Sequence, residues 1–117
     1  MTPEQQRKML ECAAKACGVE LDEETREPFT RDDDGWYWWN PLTNPADTAV
    51  MCAELDINTF YYMSLPKVEC SLEDAGDEQV IRYSVGYADN PGEKLKAWMW
   101  AATMCAAKIG GYEDGTL

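Results

Sequence analysis

The sequence predicts a single α+β domain in which an antiparallel sheet of about four strands packs against helices, a helix–sheet–helix sandwich. Three observations lead there. Three segments place apolar residues at helical period behind capping residues, and strand-like runs follow one another between the second and third of these. No strand–helix–strand alternation with glycine-rich turns argues for a parallel, nucleotide-binding sheet. The 117 residues are 45% hydrophobic and 11% aromatic, enough for one modest core without metal or disulfide support.

The first helix is expected from about residue 3 to 17. Thr2 is a good N-cap, Pro3 at N1 loses no needed donor, Gln5 can complete a capping box, and Gly18 supplies a left-handed stop. Met9, Leu10, Ala13, Ala16 and Cys17 share its apolar face. Residues 19–35 are acidic, contain Pro28 and read as a surface excursion. Trp36 to Trp39 form a short aromatic strand ended by Asn40-Pro41, since proline forces the residue before it away from helical angles. A second helix begins at Asn44-Pro45 with Asp47 at N3. It carries Ala46, Val50, Met51, Ala53 and Leu55 and ends near Asp56.

Three strands follow, at about 57–64, 67–72 and 78–87. The last two alternate as half-buried strands do, and the acidic turn between them, with Gly76, suits a hairpin. Asn90-Pro91-Gly92-Glu93 then starts a third helix that runs to about Ile109, before Gly110-Gly111. From about residue 112 the chain reads as a loose tail.

In the third helix Leu95, Trp98, Met99, Ala102, Cys105, Ala106 and Ile109 form one apolar stripe. Trp100 and Met104 project about 160° away from it. A helix apolar on both sides is either sandwiched between layers or carries an interface. Burial of Trp100 and Met104 under the first helix and a protein-binding or homodimer patch anchored by Trp100 are both open at this point.

Acidic residues outnumber basic ones 22 to 10, and the net charge is −12. Glu20, Asp22, Glu23, Glu24, Glu27, Asp32, Asp33 and Asp34 face only Arg26 and Arg31 within residues 19–35, a net −6 and half of the total. A second cluster holds Glu69, Glu73, Asp74, Asp77 and Glu78. Such a surface repels nucleic acid and anionic lipid and attracts basic protein surfaces or cations. No apolar run approaches the ~20 residues of a bilayer span, and no basic region followed by an apolar one marks a secretory signal.

The segment Trp39-Asn40-Pro41-Leu42-Thr43-Asn44-Pro45-Ala46-Asp47, leading into a helix, resembles the signature of the phage ABA sandwich domain, a family of small bacteriophage proteins. The matching positions are Trp39, Asn40, Pro41, Leu42 and Asp47. The order of the remaining elements is similar, although Met51, Cys52 and Glu54 stand where the family's helix usually bears basic residues and valines. The resemblance implies a phage origin, a host-cell cytoplasmic setting and a helix–sheet–helix sandwich. It carries no catalytic residues. The motif itself reads as structural, with core packing favoured for Trp39.

Catalytic and metal chemistry find little support. The chain has no histidine, so a base would have to be a carboxylate, lysine or tyrosine, and each acidic cluster falls in a polar segment where burial cannot tune it. No P-loop, nucleophile elbow or dinucleotide turn is present. Asp32-Asp33-Asp34-Gly35 invites a calcium loop, but the alternate positions are Thr30, Asp32 and Asp34 and the closing position is Pro41, so the match fails. Five cysteines without a C-x-x-C pair read as buried free thiols in a reducing compartment. No cofactor and no metal is expected.

The expectation is therefore a non-enzymatic acidic protein that binds a basic host protein or nucleic-acid-handling complex, in the manner of an anti-CRISPR inhibitor with a DNA-mimic surface. The residues expected to carry binding are Glu23, Glu24, Asp32, Asp33, Asp34, Trp36, Glu73, Asp74, Asp77 and Trp100. No direct contact with nucleic acid or membrane is expected. The alternative is a phage accessory protein that acts as a homodimer through its C-terminal helix.

Overall fold

A computed structural model of the chain describes residues 2–73, 80–87 and 93–112. The first helix, α1 (Pro3–Cys17), begins where its capping residues predict. Thr2 Oγ1 accepts from the Gln5 N–H while Gln5 Oε1 accepts from the Thr2 N–H. Gly18 closes the helix in the left-handed region at φ 74°. The buried face is Met9, Cys12, Ala13 and Ala14, with Leu10 only half-buried.

The acidic excursion is not a loop. It folds into β1 (Glu20–Leu21) and β2 (Pro28–Asp32), which join β3 (Gly35–Trp38) in an antiparallel meander, β1-β2-β3. The expectation of a single sheet of about four strands is corrected here. β3 finds its partner in β2, a strand supplied by the segment just before it, so it does not join the later strands. Those are β4 (Asn58–Tyr61), β5 (Lys67–Glu73) and β6 (Val80–Gly86), a second antiparallel sheet in the order β4-β5-β6. The β5–β6 hairpin has the expected antiparallel register, from Lys67↔Gly86 to Glu73↔Val80. Its acidic turn lies outside the described residues.

Helix α2 (Pro45–Leu55) starts at Asn44, whose side chain accepts from the Ala46 N–H, and ends at Asp56 in the left-handed region. Its inward face differs from the expected one. Asp47, Thr48 and Met51 are buried, while Ala46, Ala53 and Val50 are exposed. The spacing 47, 48, 51, 52, 55 keeps helical period, and two polar residues occupy it because they bind the preceding loop, as described below.

Helix α3 (Lys94–Ile109) ends where expected. Its N-cap is Glu93, which makes no side-chain capping hydrogen bond, and Asn90-Pro91-Gly92 lies outside the described residues. Residues 101–107 are all buried. One side of α3 packs on β5 and β6, and α1 and α2 pack on the helix as well, α1 most extensively. The layers are therefore sheet, α3, then α1 with α2, so a helix is central where a sheet was expected. Met104 is fully buried in this core and Trp100 is half-buried against it, whereas Leu95, expected in the apolar stripe, is 50% exposed. Tyr112, expected at the start of a loose tail, is buried, and its N–H donates to the Ala107 carbonyl at 2.9 Å. Residues 113–117 lie outside the described part.

Candidate functional site

The segment from Trp39 to Thr48 folds as a clasp. Trp39 is 4% exposed and Pro41 is fully buried, which places this tryptophan in the core. The Asn40 N–H donates to Asp47 Oδ2 at 2.9 Å, and Asn40 Oδ1 accepts from the Leu42 N–H at 3.0 Å. Thr48 Oγ1 donates to the Pro41 carbonyl at 2.6 Å. Every polar group named here satisfies the loop that joins β3 to α2. The role is architectural, and no reactive group is left aimed outward.

The small sheet is different. Its inner face carries Leu21 and Pro28 toward the core. Its outer face carries Phe29, Arg31, Trp36 and Trp38, brought together by the pairs Phe29↔Trp38 and Arg31↔Trp36. Trp36 is 60% exposed and Trp38 47%. Their rings meet edge to face at 5.0 Å, and Phe29 meets Trp36 edge to face at 6.4 Å. The Arg31 guanidinium lies over the Phe29 ring at 5.3 Å. With Asp22 these four side chains line a cleft of about 180 Å³. Large aromatic surface left in water, beside polar groups, is the usual composition of an interaction site.

Carboxylates frame this face because both turns of the meander are acidic. Asp22 Oδ2 accepts from the Thr25 N–H and from Thr25 Oγ1, and the Asp22 N–H donates to the Glu27 carbonyl. This closes the β1–β2 turn and puts exposed Glu23 and Glu24 at its tip. Arg26, in the left-handed region at φ 64°, reaches back to Glu11 at 3.7 Å. The β2–β3 turn is Asp33-Asp34, both exposed, between the paired residues Asp32 and Gly35. In a meander, successive turns lie at opposite ends of the shared strand. The two acidic tips therefore stand at opposite ends of β2, about 20 Å apart at 3.3 Å per residue.

Among the expected binding residues, Glu23, Glu24, Asp33, Asp34 and Trp36 belong to this one sheet, and the backbone of Asp32 ends β2 within it. Glu73 ends β5 in the other sheet, and Trp100 lies on α3. Asp74 and Asp77 lie outside the described residues. The sequence places Trp36 and Trp38 on one strand face beside the acidic segment and counts Asp22 in that segment, but it does not single out Phe29, or Trp38 and Asp22, as binding residues. The alternation Phe29-x-Arg31 opposite Trp36-x-Trp38 was visible, but pairing it required knowing that residues 28–32 form a strand.

The five cysteines are free. Burial, with smaller contributions from neighbouring Cys70, Cys105 and Cys17, pushes Cys52 up to about 12. Burial also pushes Cys105 up to about 12 and Cys17 up to about 11. These thiols stay protonated at neutral pH and are poor nucleophiles. Among the described residues, no group of three or more cysteine, aspartate or glutamate side chains is arranged to hold a metal ion. No helix of the described residues is long and apolar enough to cross a membrane.

Comparison with family models, with curated proteins and with solved structures gives no significant match.

Proposed function

We propose that this chain is a non-enzymatic interaction protein whose acidic face engages a basic partner, a host protein or a nucleic-acid-handling complex. One observation carries the reading: the aromatic outer face of the β1-β2-β3 sheet is exposed in a chain of net charge −12 and is framed at both ends by carboxylate-bearing turns. Duplex DNA presents about one charge per 1.7 Å of axis, so rows of Asp and Glu can compete for the same lysine- and arginine-lined grooves. Association of this kind is fast and weakens as salt rises. The motif resemblance at Trp39–Asp47 supports a phage setting in a host cytoplasm, and with it inhibition of a host defence complex as an anti-CRISPR protein would act.

Affinity capture from bacterial lysate at low salt, followed by a salt gradient and identification of what elutes, tests this. The expected outcome is a basic nucleic-acid-handling protein that is lost when Asp33 and Asp34 are changed to lysine. Capture unchanged by that reversal would contradict the reading. A homodimer through α3 finds less support, because residues 101–107 are covered within the chain.

A further inference from the structure

We infer that the cleft on the small sheet, together with the open edge of β3, is the docking site for an extended peptide segment bearing arginine or lysine at alternate positions. This rests on the acidic-face reading above and gives it a location and a binding mode. The edge follows from the hydrogen-bond register. The Trp39 N–H donates to the Pro28 carbonyl at 3.0 Å. Bonded and non-bonded pairs alternate along antiparallel strands. Thr30↔Tyr37 and Asp32↔Gly35 are then the bonded pairs, and the main-chain groups of Trp36 and Trp38 point away from β2. Among the described residues β3 lies at the end of its sheet and pairs only with β2. An edge strand of this kind accepts an added strand through main-chain hydrogen bonds, while side-chain sites beside it give selectivity.

Charge selects the occupant. A second copy of the chain would bring the same carboxylates against Asp22, Asp33 and Asp34, and a single-stranded nucleic acid would bring phosphates against them. A basic strand meets attraction at both ends and, between them, the aromatic faces beside Arg31, the one cation in the cleft lining, which is stacked on Phe29. The faces of Trp36 and Trp38 suit a guanidinium or ammonium group, tryptophan being the strongest of the aromatic partners for a cation. Arg31, stacked on Phe29 at 5.3 Å, already displays within the chain the contact an incoming arginine would make.

The test is titration calorimetry at low salt with a seven-residue peptide alternating arginine and valine. Its controls are a glutamate-for-arginine peptide, the same peptide with prolines at alternate positions, and a single-stranded oligonucleotide. The arginine peptide alone should bind. Trp36→Ala and Trp38→Ala, both at exposed positions and checked for unchanged circular dichroism, should each weaken it by about three- to thirtyfold. If Asp33→Lys with Asp34→Lys abolishes binding while the tryptophan variants bind normally, the cleft is wrong and the acidic-face reading survives. If no basic peptide binds and no basic protein is captured, both fall. Equal binding of the proline peptide overturns the strand pairing. Preferential oligonucleotide binding, or self-association lost in Trp36→Ala, overturns the choice of occupant.

Discussion

Asp47 shows what a single buried carboxylate contributes at the scale of one residue. It is 8% exposed and accepts the Asn40 N–H from the loop that delivers the chain to α2. A hydrogen bond to a charged group contributes roughly 1.5–3 kcal/mol, and its loss would leave a half-buried donor unmatched. Asp47→Ala should therefore lower stability by about 2 kcal/mol in a urea titration, and Asp47→Asn by less, since an amide oxygen still accepts. Thr30 gives the opposite sign. Its Oγ1 is buried without a hydrogen-bond partner among the described residues. Thr30→Val keeps the shape, removes the unmatched hydroxyl and should raise stability by about 1 kcal/mol. The sequence marked Asp47 as a helix N3 charge and as a position of the Trp39–Asp47 motif but did not reveal its bond to Asn40, because a bond to a residue seven positions earlier depends on how the loop folds back.

Helix contacts make their own demands. α1 and α3 approach closely through small residues, and Gly110 is where their backbones nearly touch. A Cβ built on Gly110 would stand 1.9 Å from the Cys12 carbonyl oxygen. That partner is backbone and cannot swing aside, so Gly110→Ala should cost more than the ~1–3 kcal/mol typical of overpacking. Gly18 is the contrast. Its Cβ would meet nothing within 4 Å, but its φ is +74°. Gly18→Ala should therefore cost only the left-handed backbone penalty, about 1–2 kcal/mol. Thermal melts of the two variants should separate clearly. Both glycines read alike in the sequence as helix stops, yet Gly110 has φ −81° and its constraint comes from a helix nearly a hundred residues away.

The thiols act at the level of the whole molecule. Each ionises near 9.0 when unperturbed, whereas in the folded chain Cys52 and Cys105 are pushed up to about 12 and Cys17 to about 11. Well below pH 9 both states keep these protons, and the thiols leave stability unchanged. As pH rises toward 12 the unfolded chain releases protons that the folded chain retains, so unfolding is favoured. The melting temperature should fall progressively above pH 9, and Cys52→Ala should reduce the slope. At neutral pH a disulfide-exchange reagent should label these three thiols slowly in the native protein and rapidly in urea.

Local chemistry within the sequence was sufficient for much of this protein. Caps at Thr2 and Asn44 and the stop at Gly18 are decided by residues a few positions apart, and the end of α3 and the β5–β6 pairing were legible from pattern and turn signals along the chain. The clustering of charge was equally legible. Partnership was not. That residues 20–32 form strands, that β3 pairs with them and not with β4–β6, and that Met104 lies inside while Trp36 and Trp38 lie outside all depend on which surfaces meet. A strand's period reveals two faces but cannot say which is covered, and only the packed chain assigns one to the core and the other to water.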